Sequence, residues 1–421
     1  MLRKIALALS LTMLSGCNVT PLTSLLGLGG GFQADGTKGP RQGDTEWTVF
    51  VYIAADNSLS SAVPFDLNEM EAGLSSDKVR FVVMADQDQV GDSRIIEIKR
   101  DPAGLNEEIV SPIVNDKGAV IPLNHEADSG DPKTLERFVQ WGVKNYPSRR
   151  AMLVMWNHGG GAFFDPQHLK SFCWDDTSGS HLNLVDLWRS SQQIASKEKF
   201  DVLGFDTCLL GHLETAYQMR DLSSFLVSSE KTEPGEGWDY QAIAGILSRK
   251  PEIYPREFSS EIVKSFQAFY KKQEGDPATT LSAIDLEKVK ERLVPAVNDL
   301  AGDLLTGLPN PSFRSALAGV FSQTAQFNTN GEEDSVDLGL MGTLLQKNGA
   351  FPSRTRSLAA RVNEELQRAT VLSLTTGTPG GAYNGMKVYF SENYNPAYGN
   401  PSHQFFGTAP WANFVKNYAG K

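Results

Sequence analysis

Five short stretches of the chain are apolar at nearly every position: WTVFVYIA at 47–54, VRFVVMA at 79–85, AMLVMW at 151–156, the run around 202–205, and the run opening at 225–228. Runs this short, rich in Val, Ile and Phe, predict strands covered on both faces, as in a parallel sheet. RIIEIK at 94–99 alternates instead and predicts an edge or hairpin strand. Helical periodicity fills the intervals at 64–74, 132–145, 183–196 and 209–220. Asp131-Pro132 marks the start of the second helix, with Asp at the cap and Pro in the first turn; Leu135, Phe138, Val139 and Gly142 share one face of it. Strands alternating with helices of this length predict an α/β fold with a mainly parallel central sheet, helices on both faces and right-handed crossovers.

Past residue 250 the pattern changes. Amphipathic helices are expected at 256–272 and 286–306, with a short strand at 281–284 between them. Residues 309–350 read as loops and short helices, and MKVYF at 386–390 as a strand rejoining the sheet. Residues 47–250 thus form a first α/β domain, and 251–421 a largely helical subdomain with strands returning to the sheet. No internal repeat is evident.

The first 46 residues belong to neither. Arg3 and Lys4 precede an apolar segment, Ile5 to Leu14, that is too short to span a bilayer comfortably. Leu14-Ser15-Gly16-Cys17 then resembles a bacterial lipoprotein signal, cut before Cys17 with lipid attached to its thiol. Residues 1–16 are read as that signal peptide and 17–46, rich in glycine, as a flexible tether. Asn18 after the cysteine points to the outer membrane. The expected location is the bacterial cell envelope.

Composition sets limits. The chain has 421 residues, 40% hydrophobic and 21% charged, ample for a buried core. A net charge of -11 disfavours nucleic acid as a partner, because that affinity comes from basic side chains. Three cysteines, Cys17, Cys173 and Cys208, are too few for a disulfide scaffold. A Cys173–Cys208 disulfide is formally open, but it would consume the most interesting thiol.

Two places carry chemistry. The strand at 151–156 runs into Asn157-His158-Gly159-Gly160-Gly161, and the strand at 202–205 into Asp206-Thr207-Cys208-Leu209. Both reactive side chains therefore follow the carboxyl ends of buried strands, the edge where open α/β sheets bind ligands. A thiol attacks carbonyls as thiolate, and a neighbouring imidazole can take its proton and later protonate a leaving amine. A helix beginning at Leu209 would add positive partial charge beside Cys208. The amides of Gly159 and Cys208 are candidates for an oxyanion hole. Each residue alone has a plainer explanation: a small buried cysteine, a common His-Gly loop. Together, at matching strand ends, they read as a catalytic pair. A zinc site built from His158, His168, Cys173, His181 and Cys208 lacks tight ligand spacing, and Asp175-Asp176 as a calcium site competes with a solvated turn.

At these residues the sequence resembles the clostripain family of cysteine peptidases, relatives of caspases and gingipains. The carrying motifs are WTVFVYIAADNSL, GDPKTLERFVQWGVKNYP, MLVMWNHGGG, WDDTSG and FDVLGFDTCLLGHLETAYQMRDLSSFLVSSEKTEPGEGW. The resemblance implies a caspase-like α/β/α sandwich, a His158–Cys208 dyad and cleavage of peptides or proteins after Arg or Lys. It places Asp206 in the pocket for the basic side chain, a role that competes with capping the following helix. Glu236 stands where relatives often carry Asp. Glu230 and Glu233 are expected to be structural. The resemblance also implies activation by a cut between His158 and Cys208, for which Lys170 is the candidate. No cofactor is required by the residues, though calcium dependence would fit the family. A monomer is expected. The competing expectation is a surface binding lipoprotein on a catalytically silent scaffold of the same fold.

Overall fold

Eight strands form one sheet, and their order explains where the reactive residues lie. In the computed structural model the described residues are 44–114, 126–161, 171–195, 199–275, 277–325, 335–377, 383–399, 402–405 and 409–420. The strands of this sheet are β1 (Trp47–Ala54), β2 (Val79–Asp86), β3 (Arg94–Glu97), β4 (Arg150–Trp156), β7 (Phe200–Asp206), β8 (Ser223–Ser228), β9 (Thr280–Asp285) and β11 (Thr370–Thr375). They lie in the order β11-β9-β8-β7-β4-β1-β2-β3. β2, β1, β4, β7 and β8 run parallel, while β3, β9 and β11 pair antiparallel at the two flanks. Two small two-stranded sheets stand apart: β5 (Phe172–Asp175) with β6 (Ser180–Leu182), and β10 (Ser335–Asp337) with β12 (Lys387–Tyr389).

The period-two alternation of strand side chains splits the core in two. Phe50, Tyr52 and Ala54 of β1 face one core, and Val49, Val51 and Ile53 face the other. The second core is covered by α1 (Val63–Gly73), α5 (Tyr240–Arg249) and α6 (Pro255–Tyr270). The first takes α2 (Pro132–Asn145), α3 (Leu184–Ala195), α4 (Leu213–Met219), α7 (Leu286–Lys288), α8 (Val294–Gly307), α9 (Pro311–Ala325), α10 (Leu338–Lys347), α11 (Ser353–Ala369) and α12 (Pro410–Tyr418). The result is the expected α/β/α sandwich on a mainly parallel sheet. Among the described residues no helix is long and apolar enough to cross a membrane.

Four expectations are corrected. Residues 309–350 contain a full helix, α9, besides α10. The strand at 387–389 does not rejoin the central sheet; it pairs with β10. Residues 370–375, grouped with the helical segment, are an edge strand that follows α11 without a break, half-buried along its whole length. The helix after Cys208 starts at Leu213, not Leu209. Tertiary pairing overrides helical periodicity there. The Leu209 amide donates to Lys231 O at 3.0 Å, and that of Gly211 to Ser229 O at 2.6 Å. The Gly211 carbonyl accepts from Lys387 N at 2.9 Å. Gly211 fits because a Cβ there would come within 2.7 Å of the Ser229 backbone.

Candidate active site

β4 and β7 pair in parallel with Trp156 opposite Asp206. Two residues further on, each strand has reached His158 and Cys208, so the register brings the two loops level at the carboxyl edge. Their contact is close: a Cβ on Gly159 would lie 2.0 Å from the Cys208 carbonyl oxygen and 2.8 Å from its amide nitrogen. Only glycine allows the histidine loop to seat against the cysteine backbone. The loop is held from its other side by Gly160 N, which donates to Ser171 O at 2.8 Å, and by a bridge between Gly159 and Phe172. That bond uses the Gly160 amide and not that of Gly159.

His158 is exposed, and its Nε2 lies 2.9 Å from Ser58 Oγ. Ser58 follows β1, the strand next to β4, so three neighbouring strands deliver Ser58, His158 and Cys208 to one edge. Partial burial lowers the imidazole's affinity for a proton, against the opposing pull of Asp176. A neutral imidazole at neutral pH suits a base.

Cys208 is half-buried. Its Sγ accepts from Glu233 N at 3.2 Å and lies 3.7 Å from Glu233 O. Since α4 begins only at Leu213, the donor beside the sulfur is this amide and not a helix terminus at Leu209. Leu209 turns the chain with a positive φ of 61°, uncommon outside glycine. Cys173 is a separate free thiol, fully buried in β5, and burial drives its pKa far up.

Asp206 ends β7 two residues before Cys208 and is 5% exposed. It accepts from Tyr240 Oη at 2.8 Å and from Trp238 N at 3.4 Å. Gly237 covers it; a Cβ there would meet both carboxylate oxygens at 3.1 and 3.2 Å. Burial raises the Asp206 carboxyl to about 6 despite those donors. The helix-capping role is not its geometry: α4 has His212 at its cap. Glu236 is exposed on the loop next to Gly237. Glu230 is buried and accepts from Gly385 N at 2.7 Å, tying β8 to the C-terminal part of the chain. Cys17 and Lys170 lie outside the described residues, as does His168. Among the described residues no three His, Cys, Asp or Glu side chains are placed to hold a metal ion.

Ser58 and Glu233 were not singled out from sequence as parts of the site. Ser58 follows a buried strand just as His158 and Cys208 do, and that signal was available. Glu233 had none, because its role depends on how the loop after β8 folds back over β7.

The whole folded part has known relatives. Residues 51–417 match the model of the clostripain family. Clostripain of Hathewaya histolytica is 28% identical over 220 residues, covering 47% of this chain and 41% of clostripain. The matched part thus spans less than half of that relative's length. A secreted C11 cysteine protease from Bacteroides thetaiotaomicron, solved with an irreversible peptide inhibitor, superposes with a TM-score of 0.63 at 19% identity. The superposition covers 88% of this chain and 99% of that one. An inactive zymogen C11 protease from Parabacteroides distasonis gives 0.62 at 18%, covering 89% and 99%. At these identities the likeness establishes the shared fold. The family match, running from β1 to α12, establishes more: the chain belongs to the clostripain family.

Proposed function

We propose that this chain is a cysteine endopeptidase that cleaves peptides and proteins after arginine or lysine through a Cys208–His158 dyad. The observation that carries the reading is the seating of Gly159 on the Cys208 backbone, which fixes the two loops relative to each other. In this reading neutral His158 takes the thiol proton and the thiolate attacks the scissile carbonyl. The oxyanion is met by the amides of Gly159 and Cys208. His158 returns the proton to the leaving amine, and water then hydrolyses the acyl-enzyme. The preference for a basic residue rests on Asp206, a buried carboxylate two residues before the nucleophile, with Glu236 on the loop next to Gly237. The same proposal includes a lipid anchor on Cys17 holding a monomer at the outer membrane, and self-processing after Lys170.

The test is hydrolysis of Arg- and Lys-terminated amide reporters. Wild type is expected to cleave both, and Cys208→Ala and His158→Ala to lose roughly a thousandfold or more in kcat/KM. Activity surviving both substitutions would remove the dyad. Self-processing is checked on gels: wild type should be cut at Lys170 while Cys208→Ala stays a single chain. The anchor is checked by Cys17→Ser, which should release the protein from membranes.

A further inference from the structure

The loop that follows β8 places a second acidic side chain beside Asp206. The backbone of Glu233 brackets the Cys208 sulfur, while its carboxylate points inward, both oxygens sealed from solvent. Its neighbours are the Asp206 carboxyl and the Trp238 indole, yet neither oxygen has a fully formed hydrogen bond, nor does the indole nitrogen. Other buried carboxylates keep at least one formed hydrogen bond, although Glu230 too leaves one oxygen without one. Glu71 accepts from the amides of Val110 and Ser111 at 3.2 and 2.7 Å, and Glu230 accepts from Gly385 N. Among the described residues, the titratable groups seen facing the Glu233–Asp206 pair share its sign or are neutral: Asp66 and Glu69 on α1, Tyr240 on α5, Tyr270 on α6 and Cys208. Two buried carboxyls so close cannot both ionise cheaply without a cation.

We propose that Glu233 and Asp206 together form a two-carboxylate floor that receives the cationic side chain preceding the scissile bond, Glu233 supplying the second charge. This rests on the basic-residue reading above and adds the residue that sets its strength. When the floor is empty, a proton is held by the pair. A guanidinium or ammonium entering the floor takes over the compensation and the proton leaves to solvent. Binding of a cationic substrate therefore tightens as pH rises through the range in which the pair gives up that proton.

The experiment compares amide reporters ending in Arg, Lys or the neutral isostere citrulline, on wild type, Glu233→Gln and Glu233→Asp. Glu233→Gln is expected to raise KM for both cationic reporters roughly tenfold or more, with a smaller change in kcat and little change for citrulline. Glu233→Asp should recover most of the preference. Labelling of Cys208 by neutral iodoacetamide should stay near the wild-type rate in both variants, which separates the floor from the thiol. If Glu233→Gln keeps the wild-type ratio of cationic to neutral turnover, this inference falls while the basic-residue reading stands. If wild type itself does not prefer the cationic reporters, both fall. Should Glu233→Gln fail to fold, wild-type KM for the Arg reporter decides: a value independent of pH between 5 and 8 overturns the proposal.

Discussion

Gly159 has no room for a side chain. A methyl group would overlap the Cys208 carbonyl oxygen, a backbone atom that cannot swing aside. Gly159→Ala is expected to push the two loops apart and lower kcat/KM roughly a hundredfold, the scale of a misplacement near 1 Å. The check is the rate of the Arg reporter on variant protein whose circular dichroism is unchanged. Ser58 acts on the other side of the imidazole, at 2.9 Å from Nε2. Ser58→Ala should lower kcat roughly tenfold with KM unchanged, and Ser58→Thr should restore it. His158 and Cys208 could be placed at the sheet edge from the sequence because each lies just past a buried apolar run, whereas Asp206, the last residue of β7, stood out only through the family likeness. Ser58 met the same criterion but is a less reactive side chain. The inward turn of Glu233 depends on the loop after β8 folding back over β7, which no local pattern encodes.

Strands and helices carry the same lesson at larger size. The parallel strands were legible because burial on both faces leaves long unbroken apolar runs. CLLGHLETAY keeps helical spacing from Leu209, yet α4 starts only at Leu213 because the backbone of Leu209 and Gly211 is committed to 229–231 and 387. Strand β11 leaves no such signal, because a half-buried edge strand joined directly to a helix shows neither a continuous apolar run nor a break. One position on β7 joins element packing to the site. A Cβ on Gly204 would come within 2.8 Å of the Trp238 ring and 2.9 Å of Met152 Cε. Trp238 donates its amide to Asp206. Gly204→Ala is expected to cost about 1–3 kcal/mol by overpacking, read as a lower urea midpoint, and to raise KM for basic reporters as Trp238 shifts.

Across the whole molecule, buried acids dominate the response to pH. Burial raises Asp86 to about 8, Glu69 to about 7 and Asp206 to about 6. Each keeps in the folded state a proton that it loses when unfolded above about pH 4. The native state therefore binds more protons in that window, and stability falls as pH rises through 6 to 8. His403, lowered to about 4 by burial, works the other way but only below its ordinary value of 6.5. The melting temperature should thus be higher at pH 6.5 than at pH 8. Asp86→Asn should remove much of the difference, since the amide needs no proton beside Glu126 and Asp175. An equal or lower melting temperature at pH 6.5 would contradict this assignment. The pairing of β4 with β7 has one more effect. Gly160 and Ser171 are joined by their own hydrogen bond, and the strands leading to His158 and Cys208 are neighbours in the sheet. A cut in the peptide between those two points would leave both of these contacts in place. A chain severed there would migrate as two fragments in denaturant, yet remain one particle in native solution with its reacting groups in register.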